Sequence, residues 1–455
     1  MRTQDPTHLF PAGPEPPAPE SLRSHGAAPK ILLSATLRWT IAARLAVAFD
    51  DMGCTVEAIC PRQQQAARTR AVRRIHRLAP LTPLVSLRQA IERSAADLVI
   101  PCDDNAAVQL AQLYAQAGKA GHEAPLVRAV IARSLGRPEA CARVTARAEL
   151  MSLAASEGVR VPPTAAVTTR QELDTWLALH PLPAVLKVDA TWGGLGVAIV
   201  TNSDEARRAF ARMSARPSLR HALARLLLDR DVSHLLTRAR DAPRNVTVQD
   251  YIVGAPANRA VACWQGRVLA GSSVEAIQTQ HATGPATVVR VIGNTEMSEA
   301  VERLVKRLGL SGLWGVDFVI EAATGAAYLI EMNPRATPIC HLPLGPGHDL
   351  PAALYAQCTG SAPHTTIVPI TRDVIALFPG EWRRDPASPY LRSAYHDIPW
   401  GEDGLVQECI ARPWAERGLI ARLWARLRPK SSSRQAAAAA NGLALGPNDR
   451  LGSPR

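Results

Sequence analysis

Apolar residues come in short blocks through the first part of the chain, each followed by a longer amphipathic stretch. The block at 29–36 predicts a buried strand running into a helix over 36–53. The block at 55–61 predicts a second strand, and that at 97–104 another, ending in polar residues. Strand and helix in alternation predict a small parallel α/β unit from about 30 to 125. Parallel strands present ligand sites beyond their carboxyl ends. Asp103 and Asp104, which close the block at 97–104, therefore either face a cleft or cap a helix starting near Asn105.

From about 143 the pattern changes. Residues 143–158 predict a helix with Leu150, Leu153 and Ala154 on one face and Gly158 at its end. The stretch 159–167 leads into a new sheet unit, and 183–200 predicts a strand, a Gly-rich turn and a strand. Residues 215–243 predict an Arg-rich helical insertion, and 245–254 a strand with a Gly turn. A hairpin is predicted around Gln265-Gly266, an amphipathic helix over 298–310, and a second hairpin over 313–334 turning at Thr324-Gly325. After about 365 comes a distinct tail with Trp382, Tyr390, Tyr395 and Trp400, then a basic helix over 412–428 with Trp414 and Trp424. That helix is expected to pack on the body with a solvated basic face; the rival placement is on an anionic membrane. A Pro-rich leader at 1–28 and a Ser/Ala/Gly/Pro-rich tail at 429–455 are expected to be disordered.

A length of 455 residues, 47% of them hydrophobic, suits two or three packed units. The net charge of +12 raises nucleic acid as a partner, but Arg is scattered through helical stretches without interleaved aromatics, so no nucleic-acid binding is expected. Lysine is confined to Lys30, Lys119, Lys187, Lys306 and Lys430, which makes each one informative. The 8 cysteines include no Cys-x-x-Cys pair, so neither a zinc site nor a disulfide framework is indicated. No apolar run is long enough to predict a transmembrane segment, and the N-terminus lacks the apolar core of a signal peptide. A cytoplasmic protein is the expectation.

The second hairpin carries the strongest chemistry. Folding near Thr324 brings Asp317 opposite Glu331, where facing side chains stand about 5 Å apart. Glu331 and Asn333 differ by two and share a face, which Arg335 continues. Carboxylates and an amide converging in this way suit Mg2+, a hard cation held by oxygen and by substrate phosphates. A guanidinium beside them suits a phosphate or a developing oxyanion.

The runs at 315–319 and 329–335 resemble the metal-binding hairpin of ATP-grasp enzymes, the superfamily of the carbamoyl-phosphate synthase large subunit, biotin carboxylases and many carboxylate–amine ligases. The resemblance implies that Asp317, Glu331 and Asn333 bind Mg2+ (Mn2+ in its place) bridging the phosphates of ATP, and that Arg335 contacts the transferred phosphate or acylphosphate. It implies that Lys187 holds the α- and β-phosphates and that the loop from Asp189 to Val197, with Gly193, Gly194 and Gly196, closes over them. Gln249, Asp250, Tyr251 and Ile252 then resemble the adenine-binding hinge, Asn258 stands nearest the place of the ribose-binding residue, and Arg147 resembles the basic residue opening the domain's first helix. The fold implied is α/β, of the α+β ATP-grasp type. A parallel pre-ATP-grasp unit spans 29–125, an ATP-grasp domain with two subdomains clasping ATP spans 126–365, and an extension covers 366–428.

The activity implied is ADP-forming ligation, in which a small-molecule carboxylate activated as an acylphosphate is attacked by an amine. The alternatives are an ATP-grasp kinase or phosphotransferase and a non-catalytic ATP-binding regulatory protein. The grasp motifs occur once, with no biotin-attachment or amidotransferase segment, so neither a biotin carboxylase nor a full carbamoyl-phosphate synthase is expected. A homodimer is the expectation by analogy alone. Thr337, His341 and the turn at Gly345-Pro346-Gly347-His348 are further candidates for the acceptor side; His281 and Arg290 flank a loop at 283–285 that is a candidate to reach the phosphates, and Arg259, next to Asn258, is another candidate.

Overall fold

The structure, a computed structural model, describes residues 28–62, 64–188, 196–215, 246–281, 284–363 and 368–411. Residues 1–27 of the expected leader, 216–243 of the insertion expected at 215–243, the basic helix and the C-terminal tail lie outside the described residues.

The first unit is a four-stranded parallel sheet in the order β3-β2-β1-β4. Its strands are β1 (Lys30–Ser34), β2 (Thr55–Cys60), β3 (Val72–Arg77) and β4 (Leu98–Pro101). Beyond β4, Asp103 settles the alternative left open by the sequence: it caps the helix Asp104–Gln116 by accepting from Ala106 N–H at 2.9 Å. The same buried carboxylate also accepts from the backbone of Thr36 and Leu37 at 2.6 and 2.9 Å, tying the carboxyl ends of β1 and β4 together.

A small antiparallel sheet follows, ordered β5-β8-β6-β7, from β5 (Thr164–Val167), β6 (Ala184–Val188), β7 (Val197–Val200) and β8 (Val246–Asp250). It packs its own core with the helices Arg170–Leu179 and Ser203–Ser214 through Leu173, Trp176, Ala209 and Phe210. The predicted helix over 143–158 is two helices, Ala140–Thr145 and Arg147–Ser156, broken at Ala146 where ψ reaches 92°.

The large sheet has seven strands, β13-β12-β9-β10-β11-β14-β15. They are β9 (Gly254–Trp264), β10 (Arg267–Thr279), β11 (Ala286–Ile292), β12 (Gly312–Glu321), β13 (Ala327–Asn333), β14 (Val374–Ala376) and β15 (Tyr395–His396). One face packs Trp314, Phe318 and Leu329 on the helix Thr295–Leu308. That helix places Met297, Ala300, Val301, Leu304, Val305 and Leu308 on one buried stripe, is capped by Asn294, and stops at Gly309 with φ +63°. The other face packs Ala260, Ala262 and Leu313 against the parallel sheet and the helix Leu350–Thr359. The segment after 365, expected as a separate extension, supplies β14 and β15 to this sheet, with β14 beside β11.

Candidate active site

The β12–β13 hairpin turns through Gly325 at φ +76° and pairs Asp317 with Glu331 and Gly315 with Asn333. A register shift lies just beyond this pair, so that Phe318 faces Leu329. It changes the outcome: strict alternation from the buried Leu329 puts Glu331 into the core, and the bulge turns it to the face that carries Asp317. On the next strand Asn258 stands opposite Asp317. The hairpin is pressed close to the segment after β13; a Cβ on Gly315 would lie 2.1 Å from the Thr337 methyl.

The polar groups form linked pairs. Asn258 and Asn333 donate to the two oxygens of Asp317 at 2.6 and 2.8 Å. Arg335 donates to Asn333 Oδ1 at 3.1 Å and to Asp104 Oδ2 at 2.9 Å, and its guanidinium lies 4.9 Å from the Trp39 ring centroid. Asp104 stands beyond the carboxyl end of β4, so the parallel unit contributes to the site where such sheets present ligands. The backbone N–H of Ala336 donates to Pro101 C=O at 3.1 Å and holds the two units in register.

Arg147 joins the small sheet to the large one. It donates to the C=O of Val188, at the end of β6, at 2.6 Å and to Glu331 Oε1 at 2.9 Å. Lys187, the neighbour of Val188, is buried and donates to Gln249 Oε1 at 2.8 Å. The cleft is thus bounded by β6 and β8 on one side and by β9, β12 and β13 on the other.

Electrostatics separate two groups from the rest. Arg335 is matched by Asp104, which raises its pKa although burial opposes this. Glu331 is matched by Arg147. Asp317 and Lys187 have only amides as hydrogen-bond partners among the described residues. Burial, then the charge of Glu331, pushes the Asp317 carboxyl up. Burial pushes the Lys187 ammonium down to about 8, with Arg147 adding to the effect and Glu331 opposing it. Burial disfavours the charged form of both, and neither is hydrogen-bonded to an opposite charge among the described residues. In chemical terms such a carboxylate can take a cation and such an ammonium an anion.

The donor set fits a hard divalent cation. Asp317 and Glu331 face each other across the hairpin, and the strain of two like charges is visible in Asp317. Asn333 now turns its NH2 to Asp317 and its oxygen to Arg335; a side-chain flip exchanges them. Among the described residues no group of three or more His, Cys, Asp or Glu side chains is placed as a metal cluster; beside the two carboxylates the hairpin offers the amide oxygen of Asn333.

Residues 151–338 match the family profile of an ATP-grasp domain. This chain carries an ATP-grasp domain. No curated protein matches the chain. The ATP-grasp fold is shared with the biotin carboxylase domain of the Hydrogenobacter thermophilus 2-oxoglutarate carboxylase, in a complex with MgADP, ADP and bicarbonate, at a TM-score of 0.53 and 17% identity over 73% of this chain and 70% of that one. It is also shared with the ADP complex of an N5-carboxyaminoimidazole ribonucleotide synthetase, at a TM-score of 0.53 and 15% identity over 76% and 81% of the two chains. A Campylobacter jejuni biotin carboxylase in a nucleotide complex aligns at 0.53 and 16% identity over 73% and 71%.

Within the ATP-grasp domain, the remaining sequence candidates fall in different places. Gly193 and Gly194 lie outside the described residues, as do Asp189 and Trp192. Gly196 is buried at the foot of that loop, its C=O accepting from Val188 N–H at 3.0 Å. Gln249 turns its side chain to Lys187 and Thr164. Asp250 pairs with His180 at 3.1 Å, while Tyr251 is exposed and Ile252 half-buried at the end of β8. Asn258, expected nearest a ribose, is bonded to Asp317 in the carboxylate cluster.

Arg259 lies off the face that carries Asn258 and Asp317. As the strand neighbour of Asn258 it points to the opposite face, where it donates to Ser273 at 2.9 Å. Arg290 is in a surface pair with Glu275 at 2.7 Å. His341 is buried against Asp397 at 2.9 Å, and His348 is held to Gly271 C=O at 2.8 Å. Asp104 was legible as a candidate from its place after an apolar strand. Trp39 gave no signal, because a single aromatic before a helix has no pattern to betray it.

Proposed function

We propose that the protein is an ADP-forming ligase that uses ATP to activate a small-molecule carboxylate for attack by an amine. The observation that carries this reading is the separated pair, Lys187 on the small sheet and Asp317 on the large one, each held by amides across one cleft. In this reading Lys187 binds the α- and β-phosphates as a point charge and the end of β8 takes the adenine. Asp317, Glu331 and Asn333 would hold Mg2+, which when bound neutralises charge on the phosphates. Arg335, oriented by Asp104 and Trp39, offsets charge on the group in transfer. The protein positions groups and stabilises charge, so no nucleophilic side chain is required.

The test is ATP consumption by the full chain with Mg2+, screened against pooled carboxylates and amines with products identified. ADP and phosphate appearing only with a carboxylate and an amine together support ligation. A phosphorylated product from one substrate alone replaces it with phosphotransfer. Binding of ATP without consumption across the pool replaces it with a regulatory role.

A further inference from the structure

Away from the ATP-grasp cleft, the parallel unit carries a second concavity of about 340 Å3, lined by Arg74, His76, Arg77, Gln89 and Arg93 among others. It lies between β3, an edge strand of its sheet, and the helix Pro83–Ser94. Neither element supplies a residue to the cluster around Asp317.

The basic residues here fall into two classes. Arg73 pairs with Asp50 at 3.2 Å, His76 with Glu57 at 2.6 Å and Arg88 with Glu92 at 2.9 Å. Arg74, Arg77 and Arg93 are exposed, line the concavity and have no carboxylate partner among the described residues. Like charges gathered round one hollow repel each other, and a hollow lined by one sign concentrates the other. Guanidinium groups take phosphate oxygens in paired hydrogen bonds. The outer edge of β3 adds backbone groups that no strand among the described residues covers.

We propose that this hollow binds a small molecule bearing a diphosphate, at a site separate from the ATP-grasp cleft. A terminal diphosphate carries about three negative charges near neutral pH, which complements the unpaired Arg74, Arg77 and Arg93. The volume falls at the lower end of the roughly 300–1,000 Å3 of small-ligand sites, too little for an extended acidic peptide along β3. The proposal does not depend on which reaction the ATP-grasp domain carries out.

Calorimetric titration of the full chain with inorganic pyrophosphate and, separately, with ADP tests it. The titrations are made in the parent, in Lys187→Met to weaken the other site, and in a combined variant that adds Arg74→Ala, Arg77→Ala and Arg93→Ala to Lys187→Met. Binding that survives Lys187→Met and weakens at least about tenfold in the combined variant, at an unchanged melting temperature, is the expected result. The tighter of the two probes then tells free diphosphate from a nucleotide. Equal binding by Lys187→Met and the combined variant overturns the proposal, as does loss through Lys187→Met alone. Tighter binding of an acidic peptide than of either probe overturns it as well.

Discussion

Two buried charge clusters in this molecule use the same residue types to opposite effect. Around Asp397, in the segment after β14, the carboxylate takes Arg44 from the first helix and His341 from the stretch following β13. Although burial opposes it, Arg44 and then His341 hold the Asp397 carboxyl below its ordinary range. Burial keeps His341 neutral by pushing its pKa down. One carboxylate meets one guanidinium, and the cluster is closed. Around Asp317 the charges also come in both signs, but Asp317 and Lys187 face amides rather than each other. Both are shifted toward their neutral forms. A closed cluster fastens segments together; one whose charged groups meet only amides leaves them open to ligands, as the proposed function requires.

The largest effect that can break this comparison is expected at Glu331. Glu331→Gln keeps the shape and leaves an acceptor for Arg147, but removes the carboxylate facing Asp317. ATP turnover is expected to fall by about a hundredfold or more, with the melting temperature almost unchanged because the side chain is a third exposed. Steady-state ADP release and a thermal melt measure the two. Full turnover in this variant removes the proposed cation site.

At Asp397 the expected effect is on stability. Asp397→Ala leaves Arg44 buried without its carboxylate, which costs about 3–5 kcal/mol. The urea midpoint should fall accordingly, while nucleotide affinity of the folded protein stays at the parent value. The sign with pH follows from the lowered pKa: Asp397 contributes its stability above the ordinary carboxylate range and loses it as pH falls through the folded value, below 3.8. The gap between parent and variant should therefore stay open at neutral pH and close only in strong acid.

The two clusters differ in how much of them the sequence discloses. The hairpin was legible because a turn at Thr324-Gly325 and a two-residue period fix which side chains face each other. Lys187 stood out in a chain that otherwise prefers arginine. The bulge at Ile330 was not legible, since one extra residue leaves no mark on composition. Arg259 was placed with Asn258 by nearness in sequence, where strand alternation separates them. The Asp397 cluster was hidden altogether: its partners are 353 and 56 residues away along the chain. β14 and β15, of 3 and 2 residues, are too short to show a period. Asp104 was legible as a position at a strand end; its pairing with Arg335 is a tertiary contact across 231 residues.

Lys187 sharpens the comparison through pH. Its folded pKa of about 8 lies below the ordinary 10.5, so between these values the unfolded chain holds a proton that the folded chain has released. Lys187 itself therefore favours folding more as pH rises through that window. Phosphate binding runs the other way, because it requires the ammonium. Nucleotide affinity is expected to hold below about pH 8 and to decline above it, approaching about tenfold per pH unit. Lys187→Met should bind more weakly and lose this slope. A parent profile flat to pH 10 would separate Lys187 from the phosphates.

The smallest effect on activity is expected at His341, which stands shortly after the hairpin and so invites a catalytic reading. Its Nε2 is engaged by Asp397 in a pocket that leaves the side chain 5% exposed. His341→Asn removes one of the partners of Asp397 and keeps Arg44, so about 1–3 kcal/mol of stability should be lost. ATP turnover per folded molecule should change by less than about threefold, under about 1 kcal/mol in the barrier. Turnover measured below the variant's melting temperature, alongside its urea midpoint, separates the two quantities. A hundredfold loss of turnover at an unaltered midpoint would move His341 from the closed cluster to the open one. It would also mean that a charge-balanced cluster can carry chemistry here, which the contrast between Asp397 and Asp317 denies.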